Sequence, residues 1–427
     1  MSELNNIPKH WQVKKLGEVC QTTSGGTPSR GNKSYYEGTI PWVKSGELDR
    51  GLILDTEEKI SEEAIKNSSA KVFPKGTLLI ALYGATIGKL AFLGVDAATN
   101  QAVCGIYKNE NIDSNYLYHF LFSKKPSLVK QGIGGAQPNI SQGILKNLDI
   151  PIPPFPEQLT IVSKIEELLS DLENGKQQLL TARQQLKVYR QSLLKAAFEG
   201  RLNFARRPSD RPLSEVEAEL PKGWKWMKLG DFISKIEAGK SFKCDERTPN
   251  LNEVGVLKVS AVTWQIFNEF ESKTVIDKDR INDNYLVKEG DFLFSRANTL
   301  DLIGAAVIVN KFQRKLMLSD KTLRFIFNDQ INKYYALYYL RSQKGRREIQ
   351  RLSTGNQESM RNIGQARINQ IEIPIPPNLK EQQLIVEILE SKLTVCDKIA
   401  ETIGQSLQQA ETLKQSILKK AFEGKLI

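Results

Sequence analysis

Gln191-Ser192-Leu193-Leu194-Lys195-Ala196-Ala197-Phe198-Glu199-Gly200 returns close to the C-terminus as Gln415-Ser416-Ile417-Leu418-Lys419-Lys420-Ala421-Phe422-Glu423-Gly424. The likeness extends outward from this pair. Ile150-Pro151-Ile152-Pro153-Pro154 precedes the first copy, and Ile373-Pro374-Ile375-Pro376-Pro377 precedes the second. Further upstream, Asn139-Ile140 matches Asn362-Ile363, and Tyr116–Leu121 resembles Tyr335–Leu340. Phe73–Leu79 aligns with Val287–Leu293, and Val43-Lys44 with Leu257-Lys258. At the far end, Pro8-Lys9-His10-Trp11 with Lys15-Leu16-Gly17-Glu18 matches Pro221-Lys222-Gly223-Trp224 with Lys228-Leu229-Gly230-Asp231. The period is about half of the 427 residues, which makes the chain a tandem duplication of a whole module, not a solenoid of short units.

Each module reads as a mixed globular head, a proline-rich stop and a helical tail. Consecutive prolines cannot sit inside a helix, so Pro153 and Pro154 end what precedes them. After Pro156 come 44 residues without proline, Glu157 to Gly200, and Gly200 suits a helix stop. Such a helix is about 66 Å long at 1.5 Å per residue. Apolar residues recur with heptad spacing: Ile161, Ile165, Leu168, Leu172, Leu179, Ala182, Leu186, Tyr189, Leu193 and Ala196, interrupted only by Gly175. The second tail keeps the register with Ile385, Leu389, Cys396, Ile399, Ile403, Ala410, Leu413 and Ile417. A repeat of this length predicts a left-handed coiled coil between the tails. A helix packed only on its own head is the plainer alternative, but a head of about 150 residues offers no face that long.

The expected fold class is therefore α+β: two mixed α/β heads separated by two long antiparallel helices, as a pseudo-twofold tandem repeat. The expected boundaries are head one at 1–152, its tail at 153–200, an Arg- and Pro-rich linker at 201–220, head two at 221–375 and its tail at 376–427. Within the heads, Leu78–Leu82 and Ala305–Val309 read as buried strands, and Tyr116–Phe122 and Lys333–Arg341 as amphipathic helices. The heads diverge far more between the copies than the tails do. That pattern fits different specificities carried on a shared scaffold.

Composition narrows the function. Apolar residues make up 40% and charged residues 26%, as in ordinary globular chains. Lys plus Arg number 60 against 49 for Asp plus Glu, a net charge of +11. An excess of that size points to a polyanion such as nucleic acid, or to general solubility charge. The cysteines, Cys20, Cys104, Cys244 and Cys396, are widely separated, and His10 and His119 are the only histidines. No metal site is expected from them, nor a disulfide framework. The N-terminus lacks an apolar signal segment, and the longest apolar run, Leu78 to Ala85, is far short of a membrane span. A soluble cytoplasmic protein with no membrane partner is expected.

Several catalytic look-alikes fail on chemistry. Ile152-Pro153-Pro154-Phe155 resembles the Asn-Pro-Pro-Phe signature of amino-methyltransferases, but Ile152 offers no polar atom to hold an amino group. Gly84-Ala85-Thr86-Ile87-Gly88-Lys89-Leu90 is one residue short of a phosphate loop, and Leu90 stands where a magnesium-binding hydroxyl is needed. Asp55, Glu57, Glu58 and Lys59 superficially suggest a nuclease triad, but such clusters are common on solvated surfaces. Hydrolase triads lack material, with two histidines and no nucleophile elbow. No catalytic residue and no bound cofactor are expected, which leaves a binding role.

Loops rich in glycines, amides and cations are the candidates for contact with DNA. Amides pair two-pronged with adenine and arginine or lysine with guanine, while cations also neutralise phosphates without reading sequence. In head one the candidates are Thr27, Arg30, Lys33, Lys44, Ser45, Tyr83, Thr86, Lys89, Asn100, Gln101, Gln131 and Gln137. In head two they are Lys258, Ser260, Arg296, Asn298, Lys321, Arg351, Asn356, Gln357 and Arg361.

Taken in order, these features resemble the specificity subunit of a Type I restriction-modification system. The resemblance covers essentially the whole chain. It rests on Thr23-Ser24-Gly25-Gly26-Thr27-Pro28, Ile40-Pro41-Trp42-Val43, Gly84–Lys89, Thr99-Asn100-Gln101, the duplicated Ile-Pro-Ile-Pro-Pro and the duplicated tail ends. Head two departs from the pattern in its glycine loop, Glu237-Ala238-Gly239-Lys240-Ser241. The resemblance implies that each head is a target recognition domain for one half of a split double-stranded DNA site. It implies that the tails space the heads and dock two methyltransferase subunits, which carry S-adenosylmethionine and modify adenine. A translocating endonuclease subunit would complete the restriction complex. Two rivals are a self-contained methyltransferase and a protein-bridging adaptor. Binding of S-adenosylmethionine by the isolated chain distinguishes the first, and absence of salt-dependent DNA binding the second.

Overall fold

The computed structural model describes residues 7–132, 139–202, 220–263 and 266–427, so the expected linker lies almost wholly outside the described residues. The proline-poor tails form two helices of 44 residues each, Phe155–Phe198 and Leu379–Phe422. Pro156 sits in the first turn, where no backbone donor is needed. Both helices stop at glycines in the left-handed region, Gly200 at φ 67° and Gly424 at φ 66°. A Cβ at Gly200 would meet Pro221 Cγ at 2.2 Å, and one at Gly424 would meet Pro8 Cγ at 2.3 Å. The repeated tail ends therefore pack against the repeated Pro-Lys-x-Trp segments.

The chain forms two compact units, Met1–Leu180 with Gly404–Ile427, and Thr181–Ile403. In the first, a five-stranded sheet has the order Thr22–Ser24, Val103–Ile106, Leu78–Ala81, Leu90–Leu93, Leu52–Ile53. A four-stranded sheet runs Glu58–Ile60, Ile40–Val43, Ala97–Thr99, Val72–Phe73. The ribbon Gln12–Lys15 with Asp149–Ile152 leads into the first tail helix. The helix Ser114–Gln131 closes the head, and the Tyr116 hydroxyl donates to the Pro151 carbonyl at 2.7 Å. Gln158 is fully buried at the start of the tail. Its amide donates to the carbonyls of Asn111 (3.1 Å) and Pro153 (3.0 Å), and its oxygen accepts the Asp113 N–H at 2.8 Å. Such full satisfaction is what a buried amide requires.

The second unit repeats this plan. Its sheets run Ile233–Ala238, Thr322–Phe327, Phe292–Ser295, Ala306–Ile308 and Cys244–Asp245, Ser272–Val275, Val254–Leu257, Lys315–Met317. The ribbon is Lys225–Lys228 with Glu372–Ile375, and the closing helix is Lys333–Arg341. Tyr335 donates to the Pro374 carbonyl at 2.6 Å and Gln382 to the Gln330 carbonyl at 3.3 Å, as Tyr116 and Gln158 do in the first copy. Head two adds a small sheet of Ala297–Asn298, Met360–Asn362 and Thr354–Gln357.

The tails belong to the heads as much as to each other. In the first unit, Ile161 and Ile165 from the start of one tail share a core with Leu418, Ala421 and Phe422 from the end of the other. Phe422 meets Tyr116 and Phe120 edge-on, both at 5.3 Å between ring centroids. Farther along, Lys176 Nζ reaches Glu411 Oε1 at 2.6 Å, so the helices run antiparallel there. The second unit mirrors this: Phe198 lies 5.1 Å from Tyr335 and 5.2 Å from Tyr339, in one core with Ile385, Leu389 and Cys396. Arg190 Nη2 meets Asp397 Oδ1 at 2.5 Å.

The coiled-coil seam is narrower than its sequence suggests. On the second tail the buried line is Leu389, Cys396, Ile403, Ala410, Ile417, every seventh residue. Ile399 and Leu413 do not belong to it, being 45% and 50% exposed. A pair of helices buries one narrow stripe, and flanking positions face water. Leu168, Leu172, Leu179 and Leu186 on the first tail are half-buried, while Ile161, Ile165 and Leu193 are buried. Beside Gly175, where a Cβ would meet nothing within 4 Å, a groove of roughly 800 Å³ opens between Leu172, Leu179, Ala410 and Leu413.

Because Phe422 is 5% exposed and sits in the core of head one, Phe422→Ala is expected to destabilise that unit by about 3–5 kcal/mol. Denaturant unfolding followed by fluorescence measures it. A loss below about 1 kcal/mol would show the tail end to be peripheral.

Candidate nucleic-acid interface

Sheet topology gathers the nominated loops. In head one, Ile40–Val43 and Ala97–Thr99 pair in parallel, so both chains leave the sheet at the same edge. The Asn100 N–H donates to the Val43 carbonyl at 2.9 Å, which sets Asn100 and Gln101 beside Lys44 and Ser45. The glycine loop lies against the same edge: Gly25 N–H bonds the Val103 carbonyl at 3.1 Å and Gly26 N–H the Thr99 carbonyl at 2.9 Å. A Cβ at Gly25 would come within 2.1 Å of the Thr99 carbonyl oxygen, so only glycine fits. Leu82 N–H bonds the Ala102 carbonyl at 2.8 Å, Ile140 N–H bonds the Leu82 carbonyl at 2.9 Å, and Tyr83 bridges to Asn139. Tyr83 is 42% exposed there, and Thr86 closes the following turn through the Tyr83 carbonyl at 2.7 Å. Gln131 ends the helix Ser114–Gln131, Thr27 and Lys33 are exposed, and Gln137 lies outside the described residues.

Head two builds the same edge from different residues. Arg296 N–H bonds the Lys321 carbonyl at 3.0 Å, Ile363 N–H bonds the Arg296 carbonyl at 2.9 Å, and Ala297 pairs with Asn362. Arg296 therefore occupies the place of Leu82, and Lys321 that of Ala102. Gly239 N–H bonds the Ser319 carbonyl at 3.2 Å, and a Cβ there would meet the Leu318 carbonyl oxygen at 1.8 Å. The divergent loop thus keeps the close approach that the glycine loop of head one makes. Lys258 and Ser260 follow Val254–Leu257, which runs parallel to Lys315–Met317.

Most nominated cations are already neutralised. Arg30 Nη1 bonds Glu58 Oε2 at 2.6 Å while its guanidinium lies 4.2 Å over the Tyr36 ring. Lys44 Nζ reaches Glu57 at 3.0 Å and Glu58 at 3.1 Å, and Lys89 pairs with Asp49. Lys258 lies 3.9 Å from Glu246, and Arg351 bonds Glu348 at 2.7 Å. Arg361 is a staple: it donates to the carbonyls of Gly355 (2.7 Å) and Ser353 (3.0 Å), fixing the hairpin that carries Gln357. The side chain of Asn356 lies outside the described residues. Ser260 Oγ donates to Glu271 at 2.5 Å, and Asn100 and Asn298 accept from nearby backbone N–H groups at 3.1 and 2.9 Å. Lys33, Arg296 and Lys321 have no carboxylate partner among the described residues.

The counter-ions Glu57 and Glu58 come from the acidic cluster that reads in the sequence as solvated surface. Its carboxylates lie across the interface loops, which spacing alone does not reveal. The hydrogen bond from Arg30, with Lys44 beside it, holds the Glu58 carboxyl below its ordinary range. Stabilisation from this pairing is therefore present at neutral pH and lost only as the pH falls through that depressed value. Gln142, which the sequence does not single out, also lies at this edge; its amide donates to Ser24 Oγ at 2.6 Å.

A profile of the family described as Type I restriction modification DNA specificity domain matches residues 8–182 and again 221–409. The chain belongs to this family. Each match takes in one head and much of its tail, so the two specificity domains coincide with the two sequence repeats. The MjaVIII specificity subunit of Methanocaldococcus jannaschii is 26% identical, over 98% of this chain and 94% of that protein. The MjaIX specificity subunit of the same organism is 31% identical over 56% of this chain, and that match spans 55% of its length. Among solved structures, a chain from the type I R-M system superposes with a TM-score of 0.74 at 21% identity, covering 98% of this chain and 99% of that one. That likeness is one of fold.

Removing a counter-ion should expose cationic charge at this edge. Glu58→Gln is expected to steepen the fall of DNA affinity with salt by about one phosphate contact, as Arg30 is released while Lys44 keeps Glu57. Binding titrations across a salt series measure the slope. An unchanged slope would place Arg30 away from the DNA backbone.

Proposed function

We propose that this chain is the sequence-reading subunit of a Type I restriction-modification complex, and that its two heads each read one half of a split, asymmetric double-stranded DNA site. The observation that carries the reading is the duplicated edge: equivalent backbone bonds gather equivalent loops in both heads, and the side chains on them differ. Same scaffold with different contact residues is what two unlike half-sites demand.

In this reading the chain contributes recognition and no catalysis. Two methyltransferase subunits dock on the tails, hold S-adenosylmethionine and methylate adenine, and a translocating endonuclease subunit joins them for cleavage. The complex works in the cytoplasm, where the DNA is. Lys33 and Lys321 engage phosphates, the paired cations Arg30, Lys44, Lys89 and Lys258 are held back from them by their carboxylates, and the amides Asn100, Gln101, Gln131, Asn298 and Gln357 face base edges. The helical tails act as a ruler for the unread spacer.

The ruler is testable on the complex reconstituted with its methyltransferase subunits. Four residues inserted after Gly175 add about 6 Å of helix, close to two base pairs of DNA. The methylated motif is expected to gain spacer length with both half-sites unchanged. An active variant with the original spacer would contradict the ruler.

A further inference from the structure

The two heads differ in chemistry at one fixed backbone position. Leu82 in head one is 2% exposed, and its N–H and carbonyl bond Ala102 and Ile140. Arg296 occupies the same place in head two, with its N–H and carbonyl bonded to Lys321 and Ile363. The residue before it, Ser295, is also held on both sides: its N–H bonds the Ala305 carbonyl at 2.8 Å and its carbonyl accepts the Gly304 N–H at 2.8 Å.

Arg296 as a residue is half-buried, and its guanidinium has no carboxylate or carbonyl partner among the described residues. That sets it apart from most other arginines of head two. Arg247, Arg314 and Arg324 pair with carboxylates, at 2.6, 3.1 and 2.5 Å. Arg346 and Arg361 donate to backbone carbonyls. An arginine whose head has no protein partner keeps its fork of donors available to a ligand. Such a group on a rigid strand end is suited to a ligand that supplies two acceptors in one plane.

We infer that Arg296 reads a guanine in the half-site of head two, through the O6 and N7 acceptors on its major-groove edge. The inference rests on the reading of the heads as DNA readers proposed above. Guanine presents those two acceptors in a geometry that matches the arginine fork. The fixed backbone reduces the ordering cost of binding and aims the side chain, as a loop-borne residue could not. Exposed Lys321, whose backbone carbonyl anchors Arg296, is the neighbouring phosphate contact. Head one has an aliphatic residue at the equivalent position, so its half-site carries no guanine read from there.

The test is selection of bound DNA from a library with randomised half-sites, using the full complex with its methyltransferase subunits. For Arg296→Gln, preference at one position in the head-two half-site is expected to move from guanine toward adenine. Discrimination against other bases there is expected to fall about 10- to 100-fold, with the other half-site unchanged. Lys321→Ala is expected to weaken binding evenly across sequences and to lower the salt slope by about one. Arg296→Leu places at this position the residue that head one carries, and it should erase the guanine preference if Arg296→Gln unfolds. An even loss of affinity in both Arg296 variants, with every base preference kept, would make Arg296 a phosphate contact and overturn the inference. Wild-type affinity and preference in both would exclude any contact. A wild-type complex that selects no sequence at all would instead refute the proposed function.

Discussion

Burial of the apolar tail ends is the constraint on which the rest of this structure depends. Leu193, Leu194, Ala197 and Phe198 end one helix, and Leu418, Ala421 and Phe422 end the other, all nearly without solvent exposure. Each set completes a head core with the beginning of the opposite helix. A buried aromatic such as Phe422 contributes more than a surface ion pair along the helices such as Lys176–Glu411 or Arg190–Asp397, which water and salt screen. Packing of the ends, more than the seam between them, therefore fixes helix register and direction.

From that constraint the position of the interface follows. The ribbons Gln12–Lys15 with Asp149–Ile152 and Lys225–Lys228 with Glu372–Ile375 tie each head to the start of its own tail. The sheets built on these anchors send their parallel strand pairs out at one edge, and the variable loops collect there. At this edge backbone bonds set the geometry, so the side chains on it can differ between the two heads. Gly25 and Gly239 show the limit of that freedom, since a carbonyl oxygen lies where any side chain would begin.

The duplication was legible because it rests on local rules: prolines that stop chains, glycines that cap helices, heptad spacing. The strands around Leu78–Leu82 and Ala305–Val309 and the helix at Lys333–Arg341 followed from the same patterns. The seam was read too generously at Ile399 and Leu413, because periodicity marks every apolar position and cannot say which ones find a partner. Long-range pairing was not legible either. Nothing in the spacing of Arg30, Lys44 and Lys89 announces Glu58, Glu57 and Asp49 as their counter-ions, and nothing in the repeated tail ends announces that Phe198 and Phe422 belong to head cores. At Arg296 the sequence nominates the residue but not what distinguishes it, which is a guanidinium with no side-chain partner among the described residues, on a backbone that its repeat shares.

The central claim is that the two heads of this chain choose where adenine is methylated. A methylation map of DNA from cells expressing the methyltransferase subunits, with and without this chain, tests it most directly. The account predicts N6-methyladenine at one split, asymmetric motif that disappears when the chain is absent. A map that is the same with and without the chain would contradict it.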